Sequence, residues 1–225
     1  MTDAPVSIRI EAMKPLAQCR LYTFIDTAFL RGRDPAGIAR ELCAGGSDLV
    51  QLRAKNATPG EIRRLADIVH PILKEAGVGL VINDHYEIAR QVGAEWCHLG
   101  QEDFFGAGWA TSAGLAGGRP GPGLGLSTHC PDDARRALAA GPAYIAAGPV
   151  YATGTKPDAK PVTLEYVRWM REHVAIPWFA IGGINLANLD AVVEAGAEGV
   201  CAVSAILDAP DIAEACRQFR SRLPD

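Results

Sequence analysis

Two acidic sites recur at corresponding places in this chain. One closes the apolar run Leu80-Val81-Ile82-Asn83-Asp84, and the other closes Trp96-Cys97-His98-Leu99-Gly100-Gln101-Glu102-Asp103. Each run is short and apolar and breaks into amides and carboxylates as it stops, the pattern of a buried strand entering a loop. If the two strands lie parallel and side by side with a helix between them, Asp84 and Asp103 face one mouth. Two carboxylates there hold a hard divalent cation such as Mg²⁺. The ordinary alternative is capping, with Asp84 closing the next helix and Glu102 or Asp103 the one after. A single Asp after a strand is more often a cap; the repetition favours the metal.

Chemistry on an anion also needs positive partners. In Gln51-Leu52-Arg53-Ala54-Lys55 the strand period of two sends Gln51, Arg53 and Lys55 to one side. Arg offers a planar fork and Lys a mobile point charge, a pair suited to phosphate oxygens. Ser127-Thr128-His129 ends a further strand with two hydroxyls and an imidazole. A lone His in such a place is more often a hydrogen-bonded structural residue, and the same holds for His98 and His85. The stretch Gly148-Pro149-Val150-Tyr151-Ala152-Thr153-Gly154-Thr155-Lys156-Pro157 reads as the longest loop at this mouth, able to fold over an anion and exclude water. Finally, Ile181-Gly182-Gly183-Ile184 and Ala202-Val203-Ser204-Ala205 end two late strands, where glycine lets a phosphate approach backbone N–H groups. An acid pair, a basic clamp and a separate monophosphate cradle imply two phosphorylated substrates, one of them a diphosphate.

These residues need a scaffold that brings eight strand ends together. Apolar runs at Leu21–Asp26, Leu49–Ala54, Gly79–Asp84, Trp96–Gly100, Leu124–Thr128, Tyr144–Gly148, Trp178–Gly182 and Gly199–Ser204 each precede a helical stretch. Helix signals punctuate them: Asp34-Pro35 opens one helix that stops at Gly45-Gly46, and the capping box Thr58-Pro59-Gly60-Glu61 opens another that stops at Ala76-Gly77. Near-continuous apolar strands indicate burial on both faces, so the expected fold is α/β, a single-domain (β/α)8 TIM barrel with its chemistry at the C-terminal mouth. An open doubly wound sheet is less consistent, because no Gly-x-Gly-x-x-Gly follows the first strand and Gly117–Gly123 reads as a helix-to-strand turn. Residues 1–20 read as an N-terminal arm with an expected mobile tail, and residues 21–225 as the barrel catalytic domain.

Composition narrows the function classes. The chain has 225 residues and a net charge of −4, with 48% hydrophobic and 21% charged residues, which excludes disorder and a polybasic nucleic-acid surface. No apolar run is long enough to span a membrane and no secretory h-region is present, so a cytoplasmic protein is expected. The six cysteines have no CxxC or Cys/His metal spacing and read as small buried apolar residues.

Taken together, Gln51-Leu52-Arg53-x-Lys55, Ile82-Asn83-Asp84, His98-Leu99-Gly100-Gln101-Glu102-Asp103, Gly148-Pro149-Val150 with Thr153-x-Thr155-Lys156-Pro157, Ile181-Gly182-Gly183-Ile184 and Val203-Ser204-Ala205-Ile206 resemble the thiamine phosphate synthase family, in order and at its spacing. The resemblance covers about Leu21 to Arg222. It implies an enzyme that joins 4-amino-2-methyl-5-(diphosphooxymethyl)pyrimidine to a thiazole phosphate by a dissociative route, releasing pyrophosphate. It further implies that Gln51, Arg53, Lys55, Asn83, Ser127 and Lys156 hold the pyrimidine diphosphate, with Arg53, Lys55 and Lys156 catalytic. Asp84 and Asp103 would hold Mg²⁺, and Thr153, Thr155, Gly183, Val203 and Ser204 the thiazole phosphate. The partners expected are these small molecules, with no nucleic acid or membrane and with a homo-oligomer left open.

The chain departs from the family pattern at His85-Tyr86, at Phe104-Phe105 and at Val162-Thr163-Leu164-Glu165. These bear on details of the mouth and lid. Three rivals remain at this stage. A thiazole tautomerase on the same barrel would use a His at the place of His129 but does not keep the two acid motifs. A Schiff-base aldolase would use Lys55 or Lys156. A non-catalytic sensor would bind ligand without turnover.

Overall fold

The computed structural model describes residues 12–154 and 160–224. The expected mobile tail lies outside the described residues. The remainder of the expected arm, residues 12–20, lies against the barrel's lower end: Lys14 Nζ pairs with Asp48 Oδ1 at 2.5 Å, and Asp48 Oδ2 accepts the backbone N–H groups of Arg20 and Leu21.

Eight parallel strands close in sequence order. They are β1 (Leu21–Asp26), β2 (Leu49–Arg53), β3 (Gly79–Asn83), β4 (Trp96–Leu99), β5 (Gly123–Thr128), β6 (Tyr144–Ala147), β7 (Trp178–Ile181) and β8 (Val200–Cys201). Around them run α1 (Pro35–Ala44), α2 (Pro59–Glu75), α3 (Tyr86–Val92), α4 (Gln101–Gly106), α5 (Ser112–Ala116), α6 (Pro131–Ala139), α7 (Thr163–His173), α8 (Leu189–Glu194), α9 (Ser204–Leu207) and α10 (Ile212–Arg220). The barrel is closed by β1 pairing β8, Leu21 beside Val200 and Tyr22 beside Cys201. All six residues of β1 are buried, as a strand covered on both faces requires.

The helix signals act as expected. Asp34 accepts from Ala36 and Gly37 N–H with Pro35 at the first turn, and Thr58 and Glu61 make both halves of a capping box. One expectation needs correction. The eighth strand stops at Cys201, because the backbone turns at Val203 (φ −111°, ψ −86°) and Ser204 already opens α9. The connection from β4 to β5 is two short helices, α4 and α5, with Gly108 (φ +85°) between them.

Outside the strands the core is mostly aliphatic, with Phe104 and Phe219 buried in it. Ile38, Leu42, Ile62, Val69 and Leu73 are each no more than 2% exposed, and burying such a side chain contributes roughly 1.5–3 kcal/mol. Inside, the lumen is filled by aromatic rings: Tyr22 meets Phe179 and Tyr144 edge-on at 5.3 and 6.0 Å between centroids. Gly125 makes room for this plug, since a Cβ there would lie 2.1 Å from Tyr144 Cζ. The plug closes the lower barrel and leaves the C-terminal mouth open. No helix among the described residues is long and apolar enough to cross a membrane.

Candidate active site

A pocket among the described residues occupies that mouth. Gln51, Arg53, Lys55, Asn83, Asp84, Asp103, Ser127, Thr153, Gly183, Val203 and Ser204 all line it, so every expected site residue among the described residues converges there. Thr155 and Lys156 lie outside the described residues.

The basic clamp is built by strand register. β1 and β2 pair with Asp26 beside Arg53, and Arg53 Nη1 donates to Asp26 Oδ2 at 2.5 Å. Asp26 is only 1% exposed, and its second oxygen accepts from Ala28 N–H at 3.0 Å. A charge-assisted bond from a buried carboxylate fixes the guanidinium, and with five donors available Arg53 keeps N–H groups for an anion. Lys55 Nζ stands 3.8 Å from Asp84 Oδ2, with side chains 51% and 29% exposed. An ion pair that open contributes little to stability, yet it brings the clamp up to the acid pair.

Asp84 is not a helix cap. His85 is the N-cap of α3 and no side chain bonds that end. Instead Asp84 adopts φ +64°, a left-handed conformation that Asp tolerates better than most residues, and its N–H bonds His98 O at 2.9 Å. Asp103 lies in the first turn of α4. A Cβ on Gly100 would come within 2.8 Å of Asp103 Oδ2, so the glycine gives that carboxylate its room. Among the described residues no three His, Cys, Asp or Glu side chains cluster as a metal cage. Two carboxylates at one mouth nevertheless fit Mg²⁺, which usually keeps several waters and takes substrate phosphate oxygens beside one or two carboxylates.

The glycines after β7 have a second use. Gly182 (φ +100°) and Gly183 (φ +65°) press against the loop after β6: a Cβ on Gly182 would meet Pro149 Cβ at 2.3 Å, and one on Gly183 would meet Ala152 O at 2.6 Å. Tyr151 N–H donates to Gly182 O at 3.0 Å, and Asn188 Nδ2 donates to Gly183 O at 2.9 Å. The root of the expected lid is thus docked on the expected phosphate cradle.

His129 lines the pocket, with its Nδ1 against Gly148 O and its N–H on Asp133 Oδ2. The residues that depart from the family pattern stay out of it. Phe104 is fully buried, Phe105 lies under the Arg136 guanidinium at 3.7 Å, and Tyr86 bonds Pro122 O. Thr163 (φ +65°) opens α7 without a side-chain cap from Val162.

Sequence reasoning passed over Tyr22, Phe24, Asp26 and Tyr144. The first three alternate along β1, so the same period-of-two argument used for β2 would have placed them in the lumen. Burial pushes the Tyr22 and Tyr144 phenols well above their ordinary pKa, and it does the same to the Cys97 and Cys201 thiols. Cys19, Cys97, Cys201 and Cys216 are buried as expected and Cys43 partly so, whereas Cys130 is exposed.

The sequence matches the family described as thiamine monophosphate synthase over residues 21–206. It is 38% identical over 203 residues to a thiamine-phosphate synthase of Chloroflexus aurantiacus, covering 90% of this chain and 91% of the relative. A thiamine-phosphate synthase of Thermus thermophilus is 42% identical over 189 residues, with 80% and 84% covered. Among solved structures, a thiamine phosphate pyrophosphorylase from Pyrococcus furiosus superposes with a TM-score of 0.80 at 28% identity, covering 92% of this chain and 96% of that one.

Proposed function

The chain belongs to the thiamine monophosphate synthase family, and on that premise we propose how its mouth joins the pyrimidine diphosphate to the thiazole phosphate. It is a transferase of thiamine biosynthesis, giving thiamine monophosphate and pyrophosphate. The observation that carries the residue assignment is the convergence of Arg53, Lys55, Asp84 and Asp103 on one pocket above the aromatic plug.

Gln51, Asn83 and Ser127 orient the pyrimidine ring, while Arg53, Lys55 and Lys156 bind its diphosphate. Thr153, Thr155, Gly183, Val203 and Ser204 bind the thiazole phosphate. The C–O bond to diphosphate breaks, its electron pair leaves with pyrophosphate, and the thiazole nitrogen bonds the resulting pyrimidinylmethyl cation. That nitrogen carries a free lone pair, so no general base is required. The protein's part is electrostatic: Arg53, Lys55 and Lys156 stabilise charge growing on the leaving group. Asp84 and Asp103 would hold Mg²⁺, which when bound offsets diphosphate charge as a Lewis acid. The loop after β6, seated on Gly182 and Gly183, keeps water from the cation. We place the catalytic unit within residues 21–225 and the site of action in the cytoplasm.

The test is pyrophosphate release by the purified protein with both substrates, with and without Mg²⁺, beside Asp84→Asn, which suits the left-handed backbone there. Release that needs both substrates and the metal, and collapses in the variant, is expected. A well-folded wild type that releases none would overturn the proposal.

A further inference from the structure

A series of hydrogen bonds crosses the lumen along the wall of the pocket. Gln51 Nε2 on β2 meets Tyr22 OH on β1 at 2.5 Å, and Tyr22 OH meets Tyr144 OH on β6 at 3.0 Å. Tyr144 OH then meets His98 Nδ1 on β4 at 3.1 Å, and His98 Nε2 meets Ser127 Oγ on β5 at 2.9 Å. Gln51, Tyr22, His98 and Ser127 all line the pocket, whereas Tyr144, the central link, is fully buried and does not.

The direction of this series is set as a whole. A hydroxyl has one proton to give, and a neutral imidazole donates from one nitrogen and accepts at the other. If Gln51 donates its N–H, Tyr22 gives its proton to Tyr144, Tyr144 to His98 Nδ1, and His98 Nε2–H to Ser127. The mouth then sees an amide oxygen at Gln51 and a free O–H at Ser127. Turning the amide over reverses every bond together, so the mouth sees an N–H donor at Gln51 and an accepting oxygen at Ser127. With the His98 imidazole neutral, the two ends have opposite polarity either way. Desolvation keeps both phenols protonated, as the series requires.

We infer that Tyr22, Tyr144 and His98 are positioning residues that lock Gln51 and Ser127 into opposite polarities, so that the pocket selects a ring carrying an amino donor together with a ring-nitrogen acceptor. The inference rests on the proposed placing of the aminopyrimidine between Gln51 and Ser127, and it adds three residues that need not all touch substrate.

Tyr144→Phe tests it, because it removes only the central hydroxyl and touches neither end. Losing that hydrogen bond raises KM for the pyrimidine diphosphate roughly tenfold. KM for the thiazole phosphate and inhibition by inorganic pyrophosphate, which lacks the ring, stay within about twofold. Tyr166→Phe is the control: Tyr166 OH donates to Thr128 Oγ1 at 2.8 Å, a buried bond away from the lumen series, and its loss leaves all three constants unchanged. An unchanged pyrimidine KM in Tyr144→Phe, an equal rise for both substrates, or the same selective rise in Tyr166→Phe would overturn the inference. If Tyr144→Phe does not fold, Tyr22→Phe breaks the neighbouring link and is read by the same outcomes. Inactive wild type would instead remove the underlying functional proposal, which separates the two failures.

Discussion

Arg53 owes its place to a carboxylate 27 residues earlier in the chain. A basic residue on a strand was legible from the period of two, but its partner was not, because Asp26 and Arg53 become neighbours only through the parallel register of β1 and β2. Asp26→Asn keeps the shape and removes the charge. It should raise KM for the pyrimidine diphosphate about tenfold to a hundredfold, the worth of a hydrogen bond to a charged group, with the thiazole phosphate KM little changed. Steady-state kinetics with each substrate varied in turn would show this. At Asp84 the backbone conformation matters as much as the charge, since φ is +64°. Asn tolerates that region where Ala does not, so Asp84→Asn should melt with wild-type while turnover falls about 10²–10³-fold, the cost of one electrostatic contact in a transition state. A variant that melts as wild type and turns over as wild type would remove Asp84 from the metal.

At the scale of the element, local signals and distant contacts divide the work. The Thr58–Glu61 box and the Asp34-Pro35 start are complete within one turn of helix, and both were readable. Thr58→Ala should therefore cost about 1 kcal/mol in denaturant unfolding without altering KM. Glu95, just before β4, was not readable in this way. It joins three elements, accepting from Leu80 N–H on β3 at 2.8 Å and facing His70 Nε2 on α2 at 3.5 Å. Burial alone would raise its pKa, but hydrogen bonds from His70 and backbone N–H groups outweigh that and hold it below the ordinary value. A carboxyl whose folded pKa is depressed contributes stability above its unfolded pKa, about 4.3, and that contribution fades as pH falls through the folded value. Glu95→Gln should accordingly be about 1 kcal/mol less stable at pH 7, with the gap closing in unfolding curves taken below about pH 4. α4 is another element fixed from a distance: Gln101 Nε2 donates to Asp133 O at 2.8 Å and Phe105 packs under Arg136, so α6 sets where Asp103 points.

For the whole molecule, the contacts that close the barrel are separate from the two carboxylates proposed for the cation. Closure comes from eight strand pairs and the aromatic plug, and the described residues hold no cluster of three or more His, Cys, Asp or Glu side chains that could act as a structural metal cage. Chelation should abolish pyrophosphate release yet move the melting temperature by no more than about 1 °C, because a site that takes its remaining ligands from substrate adds little folding energy. A large fall in melting temperature on chelation would mean a structural metal instead.

The sequence by itself determined the strand-helix alternation, the caps, the mouth as the place where polar residues gather and the residues whose polarity interrupts apolar strands. Those features repeat at periods of 2 and 3.6 or sit within one turn, so a linear reading reaches them. The tertiary structure alone decided which side chains share a bond across the barrel. Asp26 holding Arg53, Gly182 receiving Pro149, and Gln51 joined to Ser127 through Tyr22, Tyr144 and His98 all depend on strand register and closure, which bring together residues that no local period relates.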